Sequence, residues 1–313
     1  MKNDVIVIVG PTASGKSSIG IELAKKLNGV IISADSMQIY KGLDIGTAKV
    51  TSKEADGIKH EIIDVVDIDT KFNVSDYKNM CYEKIEEILK ENKTPIIVGG
   101  TGLYINSVVN NMTFEEVDSD IEKEVDKKIE EITKNRTMEE ICDYLKELDI
   151  DTYNKIDKGN LKRVIRAIKM SLLGTSKSSI ESRNDLWNKN DSPYNFHVFY
   201  IDMPRDMLYD RINKRVDEMV KEGVLEETKI VYEAFKKDSR LTAGQAIGYK
   251  EFFGYLDNKK SLEECKENLK QKTRNYAKRQ ITWFKKLDGK IIINGTKDKE
   301  STVQDILKEY HGR

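Results

Sequence analysis

The sequence predicts an α/β protein: a parallel sheet core, a helical subdomain inserted into it, and a helical C-terminal region. Three observations predict this. Short β-branched apolar runs alternate with amphipathic helical stretches up to Val98, as parallel strands joined by crossover helices require. Between Asn111 and Tyr194 the alternation stops and only helical spacings remain. From Arg205 to Phe284 the spacing is again helical, interrupted at Gly223 and Gly244, before a last apolar run.

Taken in order, the expected strands are residues 5–9, 30–33, 62–66, 95–98, 197–201 and 290–293. After the first comes Gly10-Pro11-Thr12-Ala13-Ser14-Gly15-Lys16-Ser17, a complete G-x-x-x-x-G-K-[ST]. The helical pattern of Ile19, Leu23, Ala24 and Leu27 follows it. Strand, loop and helix stand in the order that motif needs, so the core is read as P-loop NTPase-like. Met80, Ile85, Ile88 and Leu89 mark a helix over residues 77–90 before the fourth strand. In the interval without strands, helices are expected over 121–133, 138–148 and, after a break at Gly159, 161–173. The expected division is a core of residues 1–111 and 196–313 and a helical subdomain of residues 112–195. The last strand and a helix over 303–310 should return to the core.

In 313 residues with 34% charged side chains the net charge is only −1, so global charge announces no nucleic-acid partner and the distribution must be examined. Cys81, Cys142 and Cys265 are odd in number and widely spaced, which fits neither a disulfide framework nor a zinc site. The longest apolar runs are strand-sized and no signal-like run follows Met1. The chain is therefore expected to be soluble and cytoplasmic, off the membrane; a monomer is expected as well, though nothing in the sequence addresses dimerisation.

The phosphate loop turns backbone N–H groups around phosphate oxygens, and the helix N-terminus behind it adds partial positive charge. Lys16 would reach the outer phosphate and the Ser17 hydroxyl would take a position on Mg²⁺. Next comes the polar stretch from Ser33 through Asp35, Ser36, Met37 and Gln38 to Lys49. It begins where an apolar strand ends, which places Asp35 at the carboxyl edge of the sheet, where ligands bind in open α/β folds. By spacing alone Asp35 is a metal ligand, a general base or a turn cap.

With these two segments, the chain carries Val98-Gly99-Gly100-Thr101-Gly102-Leu103-Tyr104-Ile105, Asn160-Leu161-Lys162-Arg163-Val164-Ile165-Arg166-Ala167, Ala246-Ile247-Gly248-Tyr249-Lys250-Glu251 and the run Thr273 to Phe284. Over nearly its whole length it resembles the tRNA dimethylallyltransferases. Two departures stand out: Glu61 follows His60 where relatives often carry a second histidine, and residues 115–131 are unusually acidic.

The resemblance implies transfer of a dimethylallyl group from dimethylallyl diphosphate to N6 of an adenosine at position 37, 3′ of the anticodon, in tRNA. It implies Asp35, Thr101 and Arg215 as catalytic, residues 10–17 as the diphosphate cradle, and Mg²⁺ as cofactor. For the tRNA anticodon arm it implies Asp35, Ser36, Met37, Gln38, Thr101, Lys123, Asn160, Lys162, Arg163, Arg166, Gly248, Tyr249, Lys278, Arg279 and Gln280. Without it, Thr101 reads equally as part of a tight turn, Gln38 as a surface turn residue, and Arg215 as a solvated arginine on a charged helix.

Two one-sign runs supply electrostatics that the net charge hides. Residues 158–169 hold Lys158, Lys162, Arg163, Arg166 and Lys169. Residues 270–286 hold Lys270, Lys272, Arg274, Lys278, Arg279, Lys285 and Lys286, with Tyr276, Trp283 and Phe284 between them. Such residues position RNA through its phosphates, and the acidic 115–131 segment should face away from it. Trp283 and Phe284 are expected in the core. The rival reading is a P-loop kinase for a small molecule or nucleoside, which would turn over ATP. An RNA-binding module with a nucleotide switch is a third, but no second acidic motif follows the 95–98 strand.

Overall fold

The computed structural model describes residues 2–114, 118–174, 191–239 and 241–312. They form two compact units, one of residues 1–109 and 192–313, the other Asn110–Asp191. Among the described residues no helix is long and apolar enough to cross a membrane.

The first unit is built on a six-stranded sheet of β1 (Asn3–Val9), β2 (Gly29–Ala34), β3 (His60–Glu61), β4 (Thr94–Gly99), β5 (Tyr194–Asp202) and β6 (Ile291–Asn294), in the order β3-β2-β4-β1-β5-β6. Every pairing is parallel. Residues Val5 to Val9 are each wholly buried. Their unbroken β-branched run reflects a central parallel strand with both faces covered. From β1 the chain crosses over β4 to reach β2, whereas from β4 it crosses over β1 to reach β5. The two connections leave neighbouring strands in opposite directions, which opens a crevice at the carboxyl ends of β1 and β4. The phosphate loop follows β1, and Gly100-Thr101 follows β4.

Helices α1 (Lys16–Leu27), α2 (Ser52–Ala55), α3 (Val74–Lys90) and α4 (Gly102–Val109) belong to this unit. The third begins before the apolar pattern does, because Asn73 caps it: its Oδ1 accepts from Ser75 N at 2.7 Å and Asp76 N at 3.1 Å. The expected strand over 62–66 is not one. Pairing with β2 stops at Glu61, and Ile62 and Asp64 take φ of 60° and 56°, which breaks the pleat. The segment instead runs beside residues 38–41, with Val65 N on the Ile39 carbonyl at 2.8 Å and Lys41 N on the Val66 carbonyl at 2.9 Å.

The second unit contains α5 (Ser119–Thr133), α6 (Met138–Leu148), α7 (Ile150–Lys155) and α8 (Leu161–Leu172). Ile132, Ile141, Cys142, Leu145, Val164, Ala167 and Ile168 form its core. The short α7, not anticipated from spacing, starts because Asp149 accepts from Thr152 N at 2.9 Å. The unit's bounds lie two residues before and four residues before the expected ones.

Back in the first unit are α9 (Arg205–Glu222), α10 (Val224–Lys237), α11 (Phe253–Leu256), α12 (Leu262–Lys285) and α13 (Lys299–His311). Gly223 divides α9 from α10 with a φ of 101°. Gly244 interrupts nothing, since helix α10 has already ended at Lys237 and Gly244 lies in a 3₁₀ turn. Val303 and Ile306 of α13 pack into the cluster of Ile6, Ile19 and Phe199, so the last helix does return to the core. All three cysteines are buried free thiols.

Candidate active site

The phosphate loop sits at the carboxyl end of β1. Helix α1 has Gly15 at its N-cap with no side chain capping it, so its first N–H groups point into the loop. Ala13 takes a left-handed φ of 64°, which helps turn the loop around a central space. Ser14 Oγ is buried there with no hydrogen-bond partner among the described residues. Ser17 is exposed in the first helical turn. Lys16 Nζ donates to the Pro11 carbonyl at 3.1 Å. Burial pulls the Lys16 ammonium down to about 8; the Asp35 carboxylate opposes that and the Arg215 guanidinium adds to it.

Asp35 stands just beyond β2, with Oδ1 accepting from Met37 N at 2.9 Å. Thr101 meets this loop from the other side: its N–H donates to the Ala34 carbonyl at 3.1 Å and its Oγ1 accepts from Ser36 N at 3.0 Å. The Tyr276 hydroxyl also hydrogen-bonds Thr101, and burial together with the Asp35 charge holds that phenol protonated far up its range. Arg215, half-buried on α9, donates from Nη2 to the Ala48 carbonyl at 3.4 Å. Burial lowers its pKa, and the Asp35 charge resists that. One turn earlier Arg211 Nη1 reaches the Ala13 carbonyl at 3.4 Å. The sequence reading missed Arg211, although its i, i+4 spacing from Arg215 puts both on one helix face.

The loop over residues 36–49 is held rigid from several sides. Gln38 Oε1 accepts from Ser33 Oγ at 3.1 Å, and its Nε2 donates to the Thr47 and Ala48 carbonyls at 3.4 and 3.3 Å. The N–H groups of Asp44, Ile45 and Gly46 converge on the Glu227 carboxylate at 2.9, 2.9 and 3.0 Å. Successive N–H groups of this kind form an anion nest, here filled by a side chain of α10. The Tyr249 hydroxyl donates to the same carboxylate. Lys49 spans the Tyr40 carbonyl, Asp44 and Asp64 at 3.0, 2.6 and 2.5 Å. Glu227 and Lys49 escaped the sequence reading because charged residues on helices and loops carry no positional signal of their own.

Several residues expected on the RNA are turned inward. Tyr249 is fully buried, and Gly248, with a φ of 120°, packs against Gly46. Gln280 is 5% exposed on α12. Its Oε1 accepts from Thr12 N at 2.8 Å and its Nε2 donates to the Gly100 carbonyl at 2.9 Å. Asn160 caps α8 through Arg163 N at 3.2 Å, and exposed Lys123 pairs with Asp120 at 2.9 Å. Neither basic run is wholly available. Lys270 pairs with Glu267 and Asp217, and Arg274 donates to Asn213 at 2.7 Å. Within the second unit Lys169 is bound by Glu122 and Asp126 at 2.7 and 2.6 Å, so part of the acidic segment neutralises part of the basic one. Lys162, Arg163 and Arg166 remain exposed on α8 opposite buried Val164, Ala167 and Ile168, and Lys272, Lys278, Arg279, Lys285 and Lys286 remain exposed on or just beyond α12. Phe284 is in the core as expected, while Trp283 is half-buried with Nε1 on Asn106 Oδ1 at 3.4 Å.

Comparison with known proteins agrees with this geometry. The family model described as IPP transferase matches residues 38–287. A protein of Acetivibrio thermocellus named tRNA dimethylallyltransferase is 45% identical over 98% of this chain and 96% of its own. A Staphylococcus epidermidis structure titled tRNA delta(2)-isopentenylpyrophosphate transferase covers all of both chains at 40% identity and a TM-score of 0.71. A eukaryotic dimethylallyltransferase described as acting on tRNA covers 99% of this chain and 80% of its own, at 29% identity and a TM-score of 0.79. With a family match over most of its length, relatives that cover nearly the whole chain and a phosphate loop facing Asp35 and Thr101, the chain belongs to the IPP transferase family.

Proposed function

We propose that the chain transfers a dimethylallyl group from dimethylallyl diphosphate to N6 of adenosine 37, next to the anticodon in tRNA, releasing diphosphate. One observation carries the reading: a half-buried carboxylate, Asp35, shares the crevice of β1 and β4 with two cations, Lys16 and Arg215, and a phosphate loop. That set suits a reaction in which an anion leaves and a proton is taken up beside it. The relatives' names point to the same chemistry.

In the proposed reaction N6 attacks the allylic carbon bonded to the diphosphate oxygen. That C–O bond breaks, and its electron pair leaves with the diphosphate. The N6 lone pair is delocalised into the adenine ring, so the nucleophile is weak, and an allylic carbon that tolerates cationic character compensates. Asp35 accepts the N6 proton. Loop N–H groups, Lys16, Ser14 Oγ and Arg215 hold the charge that grows on the departing group, with the permanently charged guanidinium suited to a forked phosphate contact. Thr101 and Ser36 fix where Asp35 stands.

Magnesium fits the donor set in a specific way. Among the described residues no cluster of three His, Cys, Asp or Glu could hold a metal, so the ion would be held by Ser17 and diphosphate oxygens. When bound it supplies charge neutralisation on the leaving group.

The adenine would reach the crevice unstacked from its loop, as bases under enzymatic attack do. Met37 offers it an apolar surface. Gln38, whose amide is already oriented by Ser33 and the 47–48 backbone, would contribute through the shape of its loop. Lys162, Arg163, Arg166, Lys272, Lys278 and Arg279 would take RNA phosphates. Incubation with dimethylallyl diphosphate, Mg²⁺ and unmodified tRNA, followed by nucleoside mass measurement, tests the proposal. The expected product is adenosine gaining one dimethylallyl group with no ATP consumed; ATP turnover without that product would favour the kinase.

A further inference from the structure

We propose that Gln280 is a positioning residue that fixes the spacing between the phosphate loop and the turn carrying Thr101. The inference rests on the reading of the crevice as the transfer site. One buried amide joins two backbone segments that follow neighbouring strands: Thr12 N at 2.8 Å and the Gly100 carbonyl at 2.9 Å. Thr12 offers only a donor there and Gly100 only an acceptor, which forces the amide's orientation. A single planar group with one acceptor and one donor is needed, and a carboxamide supplies it.

The sequence has made room for this contact. A Cβ at Gly100 would lie 2.3 Å from Gln280 Nε2, and one at Gly102 would lie 2.3 Å from Trp283 Cδ1. Tyr276, one turn before Gln280, hydrogen-bonds Thr101. Tyr276, Gln280 and Trp283 thus follow the i, i+4, i+7 spacing of one helix face, and together they grip Thr101, Gly100 and Gly102. Lys278 and Arg279 are exposed on the same helix. Helix α12 therefore has an inner face that aligns the catalytic loops and an outer, cationic face. Gln280 belongs to the first.

The leaving group sits on one loop and the hydroxyl that holds Ser36, the residue next to Asp35, sits on the turn, so their separation governs alignment of the reacting atoms. Misplacement by an ångström can cost about a hundredfold in rate.

Two variants test the assignment. Gln280→Met keeps volume and removes both backbone bonds together with the contact to the Tyr276 hydroxyl. Single-turnover transfer should slow on the order of a hundredfold, while tRNA affinity stays unchanged across a salt series. Gln280→Glu keeps the acceptor but sets a second oxygen against the Gly100 carbonyl. Protonating that buried acid restores the donor, so its rate relative to wild type should climb as pH falls from about 8 to about 5.5. Thermal unfolding of both variants identifies any that fail to fold, and the pH-dependent recovery then carries the decision. Normal rates in Gln280→Met, weakened tRNA binding at a normal rate, or a flat pH ratio would each overturn the proposal. If wild type itself makes no prenylated tRNA, the functional reading fails separately. Hydrogen exchange at the Thr12 amide still decides the clamp: faster exchange in Gln280→Met supports it, and unchanged exchange overturns it.

Discussion

Lys16 and Pro11 are joined across the phosphate loop, the ammonium donating 3.1 Å to the carbonyl five residues before it. The half-buried lysine is thus held inside the cradle, where desolvation lowers its pKa to about 8. A diphosphate entering the loop meets a charge that titrates near physiological pH.

Diphosphate affinity should therefore fall as pH rises above about 8. There the free protein loses the Lys16 proton and binding must recover it, at a cost approaching about tenfold in affinity per pH unit. Stability moves the other way: between about 8 and the ordinary lysine value of 10.5 the unfolded chain holds more protons, so unfolding free energy rises with pH. Calorimetric titration with inorganic diphosphate over about pH 7 to 10 checks the first, and Lys16→Met should bind weakly with no pH dependence of this origin.

Asp35→Asn should slow prenyl transfer by about 10²- to 10⁴-fold, as loss of a general base does, with diphosphate binding retained at neutral pH. The two sites are coupled, because the Asp35 charge supports the Lys16 ammonium. In Asp35→Asn the pH at which diphosphate binding weakens should shift downward. Wild-type turnover would reduce Asp35 to the turn residue that its bond to Met37 N also permits.

Glu227→Ala should destabilise the protein by about 2–3 kcal/mol, since it leaves three loop N–H groups and the Tyr249 hydroxyl without their acceptor. Glu227→Gln, with one acceptor oxygen, should recover part of this. Urea unfolding gives both values. The transfer rate should fall in parallel, because the loop so held carries Gln38 and follows directly on Asp35.

Replacing Lys162, Arg163 and Arg166 by glutamine should weaken tRNA binding and flatten its salt dependence, by about 0.7–0.9 in log–log slope for each phosphate no longer neutralised. The KM for dimethylallyl diphosphate should hold, as these side chains belong to a different unit from the phosphate loop. Equal affinities and parallel slopes would assign RNA binding to α12 alone. Adding Lys169 to the triple variant should change little, because Glu122 and Asp126 already neutralise it.

Local patterns were readable where one residue type does one job. Val5 to Val9 announced a doubly covered strand, and Gly10 to Ser17 announced an anion loop with its helix. The helix Met138–Leu148 and the Gly223 break likewise follow from periodicity and a left-handed glycine. Residues 62–66 misled because Ile62, Val65 and Val66 look like a strand. Their alternation says nothing of a partner, and the loop at Ile39 took them instead. Charge runs misled for a similar reason: Lys169, Lys270 and Arg274 read as cations on a surface, but each found a partner from a distant segment.

By itself the sequence determined the parallel core, the phosphate loop and the placing of Asp35 at a strand's carboxyl end. These follow from backbone preference and apolar spacing, which are local and so survive in a linear pattern. Only the tertiary structure decided that Glu227 fills the nest of Asp44 to Gly46, that Arg211 joins Arg215 at the crevice, and that Gln280 fastens Thr12 to Gly100. Each of those bonds spans many residues of chain. A polar side chain's worth lies in which donor or acceptor the fold brings within about 3 Å of it, and spacing along the sequence does not encode that.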